Sequence, residues 1–302
     1  MKKKFLVTGG AGFIGSHLSE TLSRNAKVTV IDNLYQGNKL KLNKNIKLIK
    51  CDVGNKKMME KYSKGCDAIF HLAAIIGVDV VSQNKVKNMN VEFEGLRNIC
   101  ESAKKNKVKK IIYASSSGVY GKLNYENKVK ESATIAPMSG YAMAKRSGEI
   151  YLSNFSKENN INCVSVRLFN VYGRKQDTRM VIPRFIELAK KNKDIKIYGD
   201  GKQTRDFTHI NDCTKTFILL EKKINGYEVF NSSKGDEIEI KKLALIIIKL
   251  FKSKSKIKLI KTPKHLEEFQ VKKRCGNSNK IFKYLKFKPS INLIDGLKEV
   301  YL

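Results

Sequence analysis

The chain has 302 residues, 41% of them hydrophobic, and a formal net charge of +32. That length supports one or two domains with a full core, and the apolar content excludes a disordered chain. No apolar run approaches the roughly 20 residues a membrane-spanning helix needs, so no membrane partner is expected. The charge invites a nucleic-acid reading. The lysines, however, are spread along the whole chain beside many Asn and Ile. They are read as a solvated surface that attracts anionic substrates, with no nucleic-acid partner.

The first residues, Met1–Val7, begin like the charged head of a signal peptide. The glycine turn interrupts them before an apolar region forms, so a strand and a cytoplasmic location are expected. The six cysteines are scattered without metal-type pairing and read as reduced structural thiols, with no metal.

Strand-like runs at Phe5–Thr8, Val28–Asp32, Ile46–Cys51, Ala68–His71, Ile111–Ala114 and Cys163–Leu168 alternate with helical stretches. The stretches are Gly12–Asn25, Lys56–Lys64, Asn90–Asn106 and Ser139–Glu158. Short β-branched runs between helices predict an α/β fold, a doubly wound parallel sheet covered on both faces. Such a sheet binds ligands at the carboxyl ends of its strands. After Leu168 the pattern loosens. Helices are expected at Val181–Lys191, Asn211–Lys222, Ile240–Phe251 and Leu293–Tyr301, and strands at Ile195–Tyr198, Glu228–Asn231 and Ile257–Ile260. The expected division is a Rossmann domain over 1–168, with part of 206–231 returning to it, and a smaller lobe over 169–302. There is no long linker and no internal repeat.

The first strand runs into Thr8-Gly9-Gly10-Ala11-Gly12-Phe13-Ile14-Gly15 and then a helix. Glycines there permit a tight turn and close backbone approach to a pyrophosphate, with the helix amino terminus supplying free N–H donors. Asp32 ends the second strand, 17 residues after Gly15, with Asn33 following. A carboxylate at that place bonds ribose hydroxyls and repels a 2′-phosphate, so the cofactor is read as NAD rather than NADP. Asp52 and Val53 end the third strand, within reach of the adenine. His71-Leu72-Ala73-Ala74 ends the fourth, where small residues admit the middle of the cofactor. His71 itself is read as a packed strand-end histidine.

Tyr141 and Lys145 lie one turn apart on one helical face, after the serine run Ser115-Ser116-Ser117. A free tyrosine titrates near pH ~10, too high for a base at neutral pH. A neighbouring ammonium and a positive nicotinamide favour the phenolate; a shift of ~3 units needs roughly 4 kcal/mol of differential interaction. Lys145 also suits the nicotinamide ribose, and Ser116 the substrate hydroxyl. A surface helix with incidental Tyr and Lys is the competing reading of this pair taken alone. The cofactor turn and serine run outweigh it.

In this order the motifs resemble the extended short-chain dehydrogenase/reductase family, in its NAD-dependent nucleotide-sugar epimerase/dehydratase branch. The resemblance spans nearly the whole chain. It rests on Thr8–Gly15, Val30–Leu34, His71–Ala74, Ser115–Gly121, Tyr141–Lys145, Arg167–Gly173 and Tyr198–Phe207. It implies that Ser116, Tyr141 and Lys145 form the catalytic group, with Ser117 as the fallback for Ser116. It implies that a second lobe holds a nucleotide diphosphate through Asn170, Arg205 and Arg274, where guanidinium forks suit the charge. Structural ion pairs are the competing reading of the two arginines. The family's helices around Glu92–Lys105 and Tyr141 commonly pair in a homodimer, which is carried over here.

The dehydratases of this family carry an Asp-Glu pair where this chain has Ser117-Gly118, and the decarboxylases carry a Glu at the position of Gly118. Without those acids, the resemblance implies 4-epimerisation of a nucleotide sugar, a UDP-hexose or UDP-N-acetylhexosamine, through a transient 4-keto sugar. A dehydratase, decarboxylase or keto-sugar reductase is the alternative, and a non-catalytic NAD- or RNA-binding protein a third reading. The chain departs from the pattern at Met180, where an Asn is frequent, and at Asn277, where an Asp is usual. Asn88–Gly95 does not follow the family's Asn-x-x-Gly cleanly, so Asn90 is given no role.

Overall fold

The computed structural model describes residues 2–35, 42–75, 85–122, 128–264, 267 and 271–301. Six parallel strands come first: β1 (Lys4–Thr8), β2 (Lys27–Asp32), β3 (Ile46–Lys50), β4 (Ala68–His71), β5 (Lys110–Ser116) and β6 (Asn162–Leu168). Between them run helices α1 (Phe13–Ser23), α2 (Lys56–Ser63), α3 (Lys85–Lys105) and α4 (Gly140–Asn159). Short strands β7 (Val171–Tyr172), β8 (Ile195–Tyr198), β9 (Thr204–Asp206) and β10 (Thr208–His209) follow, with α5 (Val181–Lys190) after β7 and α6 (Ile210–Lys223) after β10. The chain then returns as β11 (Tyr227–Ser232), parallel to β6. The sheet order is β11-β6-β5-β4-β1-β2-β3.

Alternation along the strands explains why both faces are covered. Phe5, Val7, Val28, Val30 and Phe70 point into one core with Leu18 of α1 and Phe217 of α6. Leu6, Ile31 and Ile69 point into the other with Met59 of α2, Leu96 of α3 and Leu152 of α4. Side chains of period two on a sheet apolar on both faces require helices on both sides. The last segments are β12 (Glu237–Glu239), α7 (Ile240–Leu250), β13 (Ile257–Ile260), α8 (Asn279–Leu285) and α9 (Leu293–Tyr301). A separate core gathers Phe185, Ile186, Ile195, Ile197, Leu243 and Ile247 from α5, β8 and α7.

Besides the short strands β7, β9, β10 and β12, which were not expected, and small shifts at other element ends, three elements differ from expectation. Helix α3 begins at Lys85 rather than Asn90: Val86 and Met89 carry the apolar spacing of Phe93 and Leu96 back by another turn, although Val86 is exposed. Strand β5 continues to Ser116, past Ala114, since the ladder with β6 extends Ser115 opposite Arg167 and Ser116 opposite Leu168. Helix α8 was not expected. It is seven residues long, and among its lysines Ile281 and Leu285 alone are buried, four residues apart on one face.

Helix α4 is fixed to the sheet by a buried acid. Arg167 of β6 donates to both oxygens of Glu149, from Nε and Nη2, each at 2.8 Å. Ser115 of β5 donates to Oε1 at 2.7 Å, and Arg146 to Oε2 at 3.0 Å. Burial pushes the Glu149 carboxyl up, but the Arg167 and Ser115 bonds outweigh it and hold the group below the ordinary carboxylate range. Glu149→Ala leaves the Arg167 guanidinium buried and unpaired, an expected loss of about 3–5 kcal/mol in urea unfolding. In the native protein this contribution is present above the ordinary carboxylate range. It disappears as pH falls through the lowered native value, so the difference between the two proteins should shrink in acid.

Candidate active site

Strands β1 and β4 are neighbours, while the chain between them travels to the β3 edge and back. That reversal opens a crevice at their carboxyl ends. The turn after β1 fills its floor. Gly9 sits at φ +67°, and a Cβ there would lie 2.6 Å from the Ala73 nitrogen. A Cβ at Gly15 would lie 2.1 Å from the Gly9 carbonyl oxygen. Helix α1 starts from Gly12 with no side chain capping it and no acid in its first turn. Its first N–H groups are therefore left for a ligand.

Asp32, at the end of β2, accepts from Ala11 N at 3.0 Å and Leu34 N at 2.8 Å, which aims the carboxylate at the glycine turn. Asn33 donates to Asp52 at 2.8 Å, and Gly54 N to the other Asp52 oxygen at 2.8 Å. Gly9, Gly12, Phe13, Ile14, Gly15, Asp32, Asn33, Asp52, Val53, Leu72, Ala73 and Ala74 all line one continuous cleft, which Tyr141 and Lys145 close.

Ser139 caps α4, accepting from Ala142 N at 3.2 Å. This sets Tyr141 in the first turn and Lys145 one turn later. The Ser116 hydroxyl, at the end of β5, accepts from Gly118 N at 3.0 Å and lies on the Tyr141 side, where it pulls the phenol down. Lys145 Nζ lies 5.7 Å from the Tyr141 ring centre and 4.7 Å from that of Tyr113. It is paired at 2.8 Å with Glu92 of α3, both side chains 1% exposed.

The phenol of Tyr141 does not fall below its ordinary value in the protein alone. Burial pushes it up and Glu92 adds to this; Lys145 and Ser116 pull it down without prevailing. Desolvation penalises the anion more than one ammonium favours it, because that ammonium is already matched by a carboxylate. The sequence-based expectation counted a positive nicotinamide together with Lys145, and the protein alone supplies only the lysine. His71 is buried, 2.7 Å from Thr8 Oγ1 and stacked on Tyr113. Burial first, then Lys145, lower its imidazole to about 3, which keeps it neutral.

The remaining predicted residues lie outside this cleft. Ser117 is buried at the start of the turn that follows β5. Asn170 donates to the Asp206 carbonyl at 3.1 Å. Arg205 donates to the carbonyls of Thr204 and Val271, both at 2.7 Å. Arg274 reaches the Gly121 carbonyl at 2.5 Å, bridging the second lobe to the serine turn. Among the residues not anticipated, Lys175, Asp177 and Arg179 line the cleft, as a charged run just after the Gly173 turn. Glu92 was the larger omission. It stands three residues before Gly95, and that spacing was the available clue.

No helix among the described residues is long and apolar enough to cross a membrane. A family model for the NAD dependent epimerase/dehydratase family matches residues 5–232. The UDP-N-acetyl-alpha-D-glucosaminuronate decarboxylase of Bacillus cytotoxicus is 37% identical, over 99% of this chain and 97% of its own. The UDP-glucuronate 4-epimerase of Thermodesulfobacterium geofontis is 32% identical, over 97% and 94%. The crystal structure of UDP-glucose 4-epimerase with UDP-glucose from Thermotoga maritima superposes with a TM-score of 0.93 at 29% identity, over 98% and 97%.

The cleft fits NAD. The glycine cradle has no room for a Cβ at Gly9 or Gly15, and Asp32 offers a carboxylate where a 2′-phosphate would be repelled. At Gly12 a Cβ meets only the Gly9 carbonyl oxygen, at 3.2 Å. Gly12→Ala should therefore fold with little change in melting temperature yet bind NAD roughly tenfold more weakly, about 1.4 kcal/mol. Gly15→Ala should lower both NAD binding and the melting temperature. Calorimetric titration with NAD and thermal melts check the contrast.

Proposed function

Because the chain belongs to the NAD-dependent epimerase/dehydratase family, we propose that it interconverts the C4 epimers of a nucleotide sugar, a UDP-hexose or UDP-N-acetylhexosamine. The observation that carries this reading is Lys145 set 5.7 Å from the Tyr141 ring centre at the end of the cleft, on the Ser116 side, with no acidic side chain at positions 117 and 118. NAD, when bound, supplies the oxidising and reducing power at one sugar carbon. Tyr141 removes the proton from the 4-hydroxyl and later returns it. Ser116 holds that hydroxyl and hands the proton to Tyr141. Lys145 stabilises the phenolate and holds the ribose. The keto sugar turns over between the two steps, so its other face is reduced.

Residues 1–168, with part of 206–231, serve as the cofactor domain, and 169–302 as the nucleotide-sugar lobe. Arg205 and Arg274 there suit a diphosphate, with Asn170 beside them. Two copies pair through α3 and α4, supported by exposed Phe93, Met143 and Ile150 on those helices.

One observation favours a second reading, decarboxylation of a UDP-uronic acid: the 37% identity to the decarboxylase. Against it, the resemblance assigns the decarboxylases a glutamate at position 118. Here Gly118 packs so that a Cβ would meet Ser116 Oγ at 3.2 Å and Ala142 Cβ at 3.5 Å.

Incubation with NAD and a panel of UDP-hexoses, UDP-N-acetylhexosamines and UDP-hexuronic acids, followed by proton NMR, decides between them. A C4 epimer at constant NADH absorbance is the expected outcome. A pentose product with carbon dioxide would establish the second reading, and a 4-keto-6-deoxy or reduced sugar would overturn both. Tyr141→Phe should lower kcat about 10²–10⁴-fold with NAD still bound. Arg205→Ala should raise KM for the UDP-sugar roughly tenfold or more, through lost charge-assisted bonds, and leave NAD affinity unchanged.

A further inference from the structure

Lys145 is sealed inside the protein, and its counter-charge comes from Glu92, 2.8 Å away on a different helix. The same carboxylate oxygen accepts from the Tyr113 hydroxyl at 3.5 Å, and the Tyr113 ring faces Nζ at 4.7 Å. Glu92 Oε1 has no hydrogen-bond partner among the described residues. A buried ion pair with an unpaired oxygen is poor value as a stabilising device, since a matched apolar pair does as well or better. Its position, one contact away from a phenol that must lose a proton, suggests another use.

We propose that Glu92 is a positioning residue of the reaction site: it pins the Lys145 ammonium between Tyr113 and Tyr141 and places an opposing charge beside the same phenol. The inference rests on Tyr141 being the proton-transfer group. Helix α4 carries Tyr141 and Lys145 but no acid at that face; Glu149, further along, is held by Arg167 and Arg146. Strand β5 contributes the Tyr113 ring and the Ser116 hydroxyl, both neutral donors. Strand β4 contributes His71, neutral and tied to Thr8. Glu92 is therefore the carboxylate that acts on Tyr141 from the α3 side, and it opposes Lys145 in doing so.

The consequence is a restrained base. With Glu92 present, the phenolate forms only when further positive charge arrives, which ties proton removal to the presence of the oxidised, cationic cofactor. Without Glu92 the same ammonium would favour the phenolate at lower pH. Glu92→Gln isolates this effect. It keeps the shape and a carbonyl oxygen that still accepts from Nζ, and it removes the charge.

The test is a titration of Tyr141 in the NAD-bound protein, followed by NMR with ring-labelled tyrosine, the signal identified by its loss in Tyr141→Phe. In Glu92→Gln the Tyr141 titration should move down by about one pH unit. The ascending limb of kcat against pH should move with it, and KM should stay within about twofold. Glu92→Asp draws the charge back by one methylene, so a smaller downward shift is expected. It serves as the second variant should Glu92→Gln fail to fold. A merely structural glutamate would lower the melting temperature and leave the Tyr141 titration in place. A titration that stays or moves up in a folded variant overturns the proposal. The titration needs no sugar, so it is decided separately from the identity of the reaction.

Discussion

The clasp of Glu149 by Arg167 is the constraint on which the site depends. It fastens α4 across β5 and β6 through a two-pronged bond and a serine contact. With that register set, Tyr141 falls beside Ser116 at the end of β5, and Lys145 falls over Tyr113. The floor of the cleft is set independently, by glycines that bring the β1 turn against Ala73 of the β4 end. Two local constraints on opposite sides of one crevice therefore define where a cofactor and a substrate carbon must meet.

Burial acts on this site in two directions. It strengthens the field of Lys145 at the phenol, because little water intervenes. It also penalises the phenolate itself, and in the protein alone that penalty is the larger. A buried ammonium demands a counter-ion, and once Glu92 supplies it the net field is reduced. The same low dielectric that strengthens the lysine's field thus also raises the Tyr141 phenol in the protein alone, so under the proposed function added positive charge in the cleft would favour the phenolate.

The sheet and the cofactor turn were legible in the sequence because each is written locally. Alternating apolar residues mark the strands within a few positions of their bounds, and Gly9–Gly15 and Asp32 need only their own neighbours to be meaningful. Lys145 was legible as a residue but not as half of an ion pair. Its partner Glu92 lies 53 positions earlier, on a different helix, and no local spacing links the two. The direction of the Tyr141 shift in the protein alone was not legible for the same reason: it depends on desolvation and on Glu92, neither of which a spacing of four residues contains. Arg205 and Arg274 were visible as charges, but their anchoring carbonyls, at Val271 and Gly121, come from distant segments.

Similarity and site chemistry pull apart at one position. The chain shares more identity with a decarboxylase than with the 4-epimerase compared here, at nearly full coverage of both. Both relatives match over nearly the whole chain, so neither identity singles out the residues that choose the reaction. The reactions differ in where a further acid stands near the sugar, and one or two side chains decide that. In this chain Ser117 is buried, and Gly118 is pressed against Ser116 and Ala142. Even a small side chain at 118 would crowd Ser116. A Cβ at 118 would come within 3.2 Å of the rotatable Ser116 hydroxyl, so a side chain there displaces that hydroxyl by a few tenths of an ångström. Identity over the whole chain therefore speaks to the family, and the side chains at 117 and 118 speak to the reaction.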